Sequence, residues 1–189
     1  MTKKREDLEK MKLEKGRPKR EDGRLKKEIE IYNLLDELQI SYERVDHAPL
    51  NTMEACAEID KFLQSTICKN LFLCNRQKTK YYLLMMPSDK PFRTKELSTQ
   101  INSTRLSFAS PKDMKQLLNL EPGSVTVMGL IYDKKNKVQL LVDEEVLKEE
   151  YLGCHPCINT SSIKLRTKEV FNTFLKAIHH DFLVVHLTK

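Results

Sequence analysis

Glycine is scarce in this chain. Five glycines in 189 residues leave no Gly-rich phosphate loop: neither GxGxxG nor a P-loop occurs, which excludes nucleotide-binding sites of those kinds. No apolar run reaches the roughly 18 residues of a membrane span. The N-terminal residues lack the apolar stretch of a secretory signal. The paired CxxC spacing of a zinc site is missing. No Ser-His-Asp order stands out, and there is no internal repeat. Five cysteines (Cys56, Cys68, Cys74, Cys154 and Cys157) are an odd number in a chain long enough to bury a real core. They argue for reduced thiols in a cytoplasmic protein rather than a disulfide framework.

Charge is present but unevenly spread. Residues 1–28 hold 12 Lys/Arg against 7 Asp/Glu, whereas the remainder holds 21 against 20. The basic character therefore belongs mostly to an N-terminal arm. A basic arm on a near-neutral domain suits a polyanion such as nucleic acid; a solvated tail that serves solubility is the plainer reading. The expected division is a basic extension over 1–23, partly disordered or helical, followed by one domain over 24–189.

Local patterns sketch that domain. Leu25, Ile29, Tyr32, Leu35 and Leu38 recur at helical spacing, so residues 24–38 read as a packed helix. Residues 40–45 read as a strand, and Asn51 with Glu54 as the capped start of a helix over 52–59. The apolar runs 67–75 and 80–86 flank a polar turn and read as a buried hairpin. A helix is expected over 94–101. Ser110-Pro111-Lys112-Asp113 starts another, running to about Leu118. Residues 125–132 and 138–142 read as strands, with Gly129 as a break in the first. Asp143 caps a short helix over 144–149. Residues 151–155 and 158–163 flank a Pro-containing loop, residues 167–178 form an amphipathic helix, and 182–187 a closing strand. Strands and helices mixed without a regular βαβ repeat indicate an α/β fold, a mixed and mainly antiparallel sheet flanked by helices.

Two stretches carry the chemistry. Lys69 and Asn70 open an apolar strand, where an ammonium is costly unless it meets an anionic or carbonyl partner; on spacing alone, Lys69 also reads as a lysine that blocks edge pairing. Gly153-Cys154-His155-Pro156, followed by Asn159, forms a sharp loop in which Gly permits close backbone approach and Pro stiffens the turn. His155 has the ordinary pKa of a general base, though a His beside Pro in a tight loop is as readily a packing residue. Cys154 and His155 are neighbours on a strand and point to opposite faces, a poor placement for a Cys–His pair. No metal site is expected.

These stretches, with His47-Ala48-Pro49 and the segment around Gly129, resemble the YbaK/ProX family of aminoacyl-tRNA editing proteins, and within it the branch that removes alanine from tRNA-Pro. The resemblance covers about residues 30–189. It implies a YbaK-type fold and an aminoacyl-tRNA deacylase that hydrolyses the ester of a wrong amino acid on tRNA-Pro, most of all alanine. The same hydrolase acting on Ser, Thr or Cys, or a non-catalytic aminoacyl-tRNA-binding module, are the alternatives. By the resemblance, Lys69, Asn70, Gly153 and His155 are catalytic, and His47, Met128, Gly129, Pro156 and Asn159 bind substrate. Family members usually carry Ser or Pro with another small or aromatic residue before the glycine where this chain has Val127 and Met128. No cofactor or metal is implied. The partners implied are mischarged tRNA-Pro and a prolyl-tRNA synthetase, the assembly a monomer or weak dimer, and no membrane is involved.

Overall fold

The computed structural model describes residues 11–49, 58–59 and 61–189. Among the described residues nine strands form one sheet: eight follow the hydrogen-bonded path β1-β2-β8-β7-β3-β4-β6-β9, and β5 pairs with β3 off it. They are β1 (Glu14–Lys15), β2 (Tyr42–Asp46), β3 (Thr66–Asn75), β4 (Tyr81–Pro87), β5 (Leu106–Phe108), β6 (Val138–Asp143), β7 (Tyr151–Cys154), β8 (Ser161–Arg166) and β9 (Phe182–Val185). Pairs β1–β2, β2–β8, β7–β8, β3–β4 and β3–β5 are antiparallel; β3–β7, β4–β6 and β6–β9 are parallel. The sheet is thus mixed and mainly antiparallel. β3 is its pivot, pairing β7 through residues 66–67 and β4 through residues 68–74.

The central strands are buried on both sides. On β4, Leu83 and Met85 enter the main core while Tyr82, Leu84 and Met86 enter a second one, as the alternation of a strand requires. A strand covered on both faces reads as a continuous apolar run, which is what residues 81–86 show. Helices α1 (Lys26–Glu37) and α3 (Pro111–Leu118) contribute to the main core, and α2 (Thr94–Gln100) contributes Leu97 to the second. Helix α4, residues 167–177, has a π turn at Val170–Phe174 between two short α-helical pieces. Its Val170, Phe171, Phe174 and Leu175 also lie in the main core.

Helix α3 shows how local chemistry sets an element. The Ser110 hydroxyl accepts from the Asp113 N–H at 3.1 Å, the Asp113 carboxylate accepts the Ser110 N–H at 3.3 Å, and Pro111 takes the first helical position. This is a capping box with Asp in the Glu position. The helix stops at Asn119, which adopts the left-handed conformation at φ 53°.

Three expectations change. Residues 127–132 form a 3₁₀ helix, not a strand. The Thr126 hydroxyl accepts from the Met128 N–H and starts the turn, and Gly129 lies so close to Leu120 that an added Cβ would stand 2.6 Å from its Cδ1. The buried stripe of α1 is Glu28, Ile31, Tyr32 and Leu35, while Leu25 is the exposed residue at its start. The N-terminal stretch expected to be tail or short helix contains β1, whose pairing with β2 is extended by the Gly16 N–H to Tyr42 carbonyl bond at 2.9 Å. The helix expected over 52–59 and Cys56 fall outside the described residues, apart from helical residues 58–59.

Candidate active site

The sheet positions the site through β3, β7 and β8. Gly153 on β7 pairs with Ile67 of β3 on one side and Lys164 of β8 on the other. Alternation along the strands then puts Lys69, two residues beyond Ile67, and Ser162, two before Lys164, on the face shared with Gly153. The opposite face carries Cys68, Phe72, Leu152, Cys154, Ile163 and Leu165 into the main core.

On that shared face the structure gathers three side chains. His47, just past β2, places Nε2 2.9 Å from the Ser162 hydroxyl. His155 places Nδ1 3.4 Å from the same hydroxyl and 3.0 Å from the Ser161 carbonyl. The two imidazole centroids are 6.2 Å apart, edge to face. The carbonyls decide the tautomers, since a carbonyl only accepts. His47 Nδ1 lies 2.9 Å from the Ala48 carbonyl, so Nδ1 carries the proton and Nε2 accepts from Ser162. His155 Nδ1 must donate to Ser161, leaving its Nε2 lone pair as an acceptor. Burial pushes the pKa of both imidazoles below the ordinary value, and for His47 the neighbouring His155 adds to the effect. Both are therefore neutral at pH 7.

Lys69 is half-buried, and its ammonium donates to the Lys90 carbonyl at 2.8 Å. Asn70 is not brought alongside it, because adjacent strand residues face opposite ways. Its Nδ2 donates to the Cys68 carbonyl at 3.1 Å, and its buried Oδ1 has no hydrogen-bond partner among the described residues. A buried acceptor left open in this way is costly.

The Pro loop is tightly held. Gly153, Pro156 and Cys157 are buried, and Cys157 sits in the left-handed region at φ 63°. A non-glycine residue there costs on the order of 1–3 kcal/mol and persists only where the surroundings impose it. The Asn159 amide nitrogen lies 3.7 Å from where a Gly123 Cβ would stand, so the loop meets the 122–124 turn; Gly123 itself adopts φ +86°. Met128 and Gly129 are buried in the 3₁₀ helix. The thiols of Cys68, Cys74, Cys154 and Cys157 are unbridged and buried. Burial raises the Cys154 thiol pKa and pushes that of Cys157 up to about 12, so neither is a thiolate nucleophile at neutral pH.

Two participants were not visible in the sequence: Ser162, which joins imidazoles 115 and 7 residues away, and Lys90, which acts through its backbone carbonyl. The only sequence sign of the first was the hydroxyl pair Ser161-Ser162 just after the loop. Among the described residues, no group of three or more His, Cys, Asp or Glu side chains is placed to hold a metal ion, and no helix is long and apolar enough to cross a membrane.

Comparisons with known proteins identify the family. The aminoacyl-tRNA editing domain family matches residues 47–173, a span holding all the site residues named above. The chain is 31% identical over 153 residues to the prolyl-tRNA editing protein ProX of Acetoanaerobium sticklandii, covering 81% of this chain and 93% of that protein. It is 29% identical over 168 residues to prolyl-tRNA synthetase associated domain-containing protein 1 of Xenopus laevis, covering 87% and 98%. A solved structure described as a candidate trans-editing enzyme for prolyl-tRNA synthetase superposes with a TM-score of 0.62 at 13% identity, over 87% of this chain and 98% of the other, and shares the fold. By the family match across two thirds of its length, with an editing protein of this kind at 31% identity, the chain belongs to the aminoacyl-tRNA editing domain family.

Proposed function

We propose that this protein is a trans-editing deacylase that hydrolyses the ester of mischarged tRNA-Pro, with Ala-tRNA-Pro as its principal substrate. One observation supports this most: a half-buried lysine ammonium shares a sheet face with the Gly153–Pro156 loop and with two neutral imidazoles bridged by Ser162, in a chain 31% identical to a prolyl-tRNA editing protein.

The chemistry asked of the protein is modest, because an aminoacyl ester is already activated. Lys69 holds the ester carbonyl or the adjoining phosphate and favours negative charge developing on the carbonyl oxygen; one such donor is worth roughly 3–4 kcal/mol. The stiff backbone of Gly153, His155 and Pro156, with Asn159 and His47 beside it, shapes the seat of the amino acid. The vicinal ribose hydroxyl moves protons with the attacking water, and the His155 Nε2 lone pair is the protein group best placed to assist. Proline is rejected by size, since excluding a larger group is easier than sensing a missing methylene. Charged tRNA is the macromolecular partner, and a tRNA substrate suits a cytoplasmic protein.

The test is a panel of mischarged tRNAs incubated with the pure protein. Rapid loss of the ester from Ala-tRNA-Pro, with Pro-tRNA-Pro spared, is the expected result. Preference for Ser, Thr or Cys esters would correct the specificity, and binding without hydrolysis of any ester would refute the enzymatic reading.

A further inference from the structure

The carbonyl that holds the Lys69 ammonium belongs to Lys90, in the 88–90 turn that follows β4; the Lys90 N–H closes the turn on the Pro87 carbonyl at 3.4 Å. A short polar turn at the end of a strand is ordinarily mobile. Here its side chain prevents that. Lys90 is only 2% exposed. Its ammonium donates to both oxygens of Asp143 at 3.0 and 3.1 Å and to the Leu187 carbonyl at 2.8 Å, and pairs with Glu145 at 3.2 Å.

Asp143, at the end of β6, is wholly buried. Its Oδ1 also accepts the Glu145 N–H at 2.9 Å and its Oδ2 the Leu187 N–H at 3.2 Å. The three donors of the ammonium and both carboxylate oxygens are thereby used. Buried ion pairs are poor evidence of stability in themselves, because apolar replacements often serve as well. This one does what an apolar pair cannot: it fixes the direction of a turn whose carbonyl aims a second lysine.

We infer that the buried Lys90–Asp143 pair is a positioning device for Lys69, and that Asp143 is a positioning residue of the deacylation reaction although it never touches substrate. This inference rests on the assignment of Lys69 to the ester made above. The path runs from the Asp143 carboxylate through the Lys90 side chain and turn to the Lys90 carbonyl, and from there to the Lys69 ammonium. Small displacements of a group that holds the reacting centre are expensive in rate, so loosening the turn slows hydrolysis through Lys69.

The experiment is a double-mutant cycle read by single-turnover hydrolysis of Ala-tRNA-Pro, using wild type, Asp143→Asn, Lys69→Ala and the combined variant, each checked for folding by its thermal transition. Asp143→Asn keeps the shape and removes the charge. It is expected to lower the rate about tenfold or more in the wild-type background and by less than about twofold in the Lys69→Ala background, because two groups acting as one unit are not additive. An equal factor in both backgrounds would show a general structural role and overturn the inference while leaving Lys69 in place. A wild-type rate for folded Lys69→Ala would overturn the assignment of Lys69 together with the inference. Should Asp143→Asn fail to fold, the apolar pair Lys90→Met/Asp143→Leu enters the same cycle with the same expected outcomes, since apolar substitutes for a buried ion pair generally preserve the fold.

Discussion

At the scale of residues, the group formed by His47, Ser162 and His155 makes a prediction about pH. Burial holds both imidazoles neutral in the folded protein, below their ordinary pKa. The unfolded chain then takes up protons first as the pH falls, so these residues contribute stability that is complete above about 6.5 and declines as pH drops through the lowered folded values. The thermal midpoint of the wild type should therefore fall between pH 7 and pH 5 more steeply than that of His47→Asn/His155→Asn. Parallel curves would mean that the imidazoles accept protons in the folded state without penalty. The same residues show what a sequence conceals. His47 and His155 are visible as motif residues, and the sharpness of the Gly-His-Pro loop follows from its composition. That both histidines close on Ser162 depends on register between β2, β7 and β8, which no local signal supplies. Asp143 was legible only as the cap of a helix over 144–149; that stretch holds just a 3₁₀ turn at Val146–Lys148 with Glu145 in the cap position, and Asp143 instead accepts the Glu145 N–H ahead of it; its partner Lys90 lies 53 residues away.

At the scale of elements, β1 is the informative case. Two residues long, it has no propensity signal, and it exists because Arg44 is buried behind it. The Arg44 side chain is 1% exposed and is bonded to the carboxylates of Glu14 and Asp46, while Arg24 joins the same group through Glu28 and, at 2.6 Å, Asp46. Arg17 adds bonds to Asn33 at 3.0 Å and Asp36 at 3.3 Å on α1. Removing residues 1–22 takes away Glu14 and leaves Arg44 partly unpaired; a lost bond to a charged group costs roughly 1.5–3 kcal/mol. The denaturant midpoint of the truncated protein should fall accordingly, with Glu14→Gln reproducing part of the loss. An unchanged midpoint would restore the picture of a solvated tail. By contrast, the β3–β4 hairpin and α3 were legible because their signals are local: apolar runs around a polar turn, and a capping box. Residues 127–132 misled because an apolar, β-branched run suits a strand and a buried turn equally, and only the contact of Gly129 with Leu120 decides between them. The π turn in α4 leaves no mark on a continuous helical pattern.

At the scale of the whole molecule, the helices divide the work with the sheet. The main core under α1, α3 and α4 supplies rigidity, and the opposite face presents Lys69, Gly153, His47, His155 and Ser162. The fold class was readable from the mixture of runs, whereas the strand order, with β3 joined to β7 in parallel and to β4 in antiparallel fashion, was not, since pairing between distant strands is written in burial rather than in neighbours. The site assembles where three distant segments meet, so its chemistry tests the fold and the function together. The most direct measurement is the rate at which pure wild-type and Lys69→Ala proteins release alanine from Ala-tRNA-Pro, with the thermal transition of each recorded alongside. The wild type should hydrolyse the ester, and a folded Lys69→Ala should be slower by at least about tenfold, or about 1.4 kcal/mol. A folded Lys69→Ala protein that hydrolyses Ala-tRNA-Pro at the wild-type rate would contradict the assignment of this face as the active site.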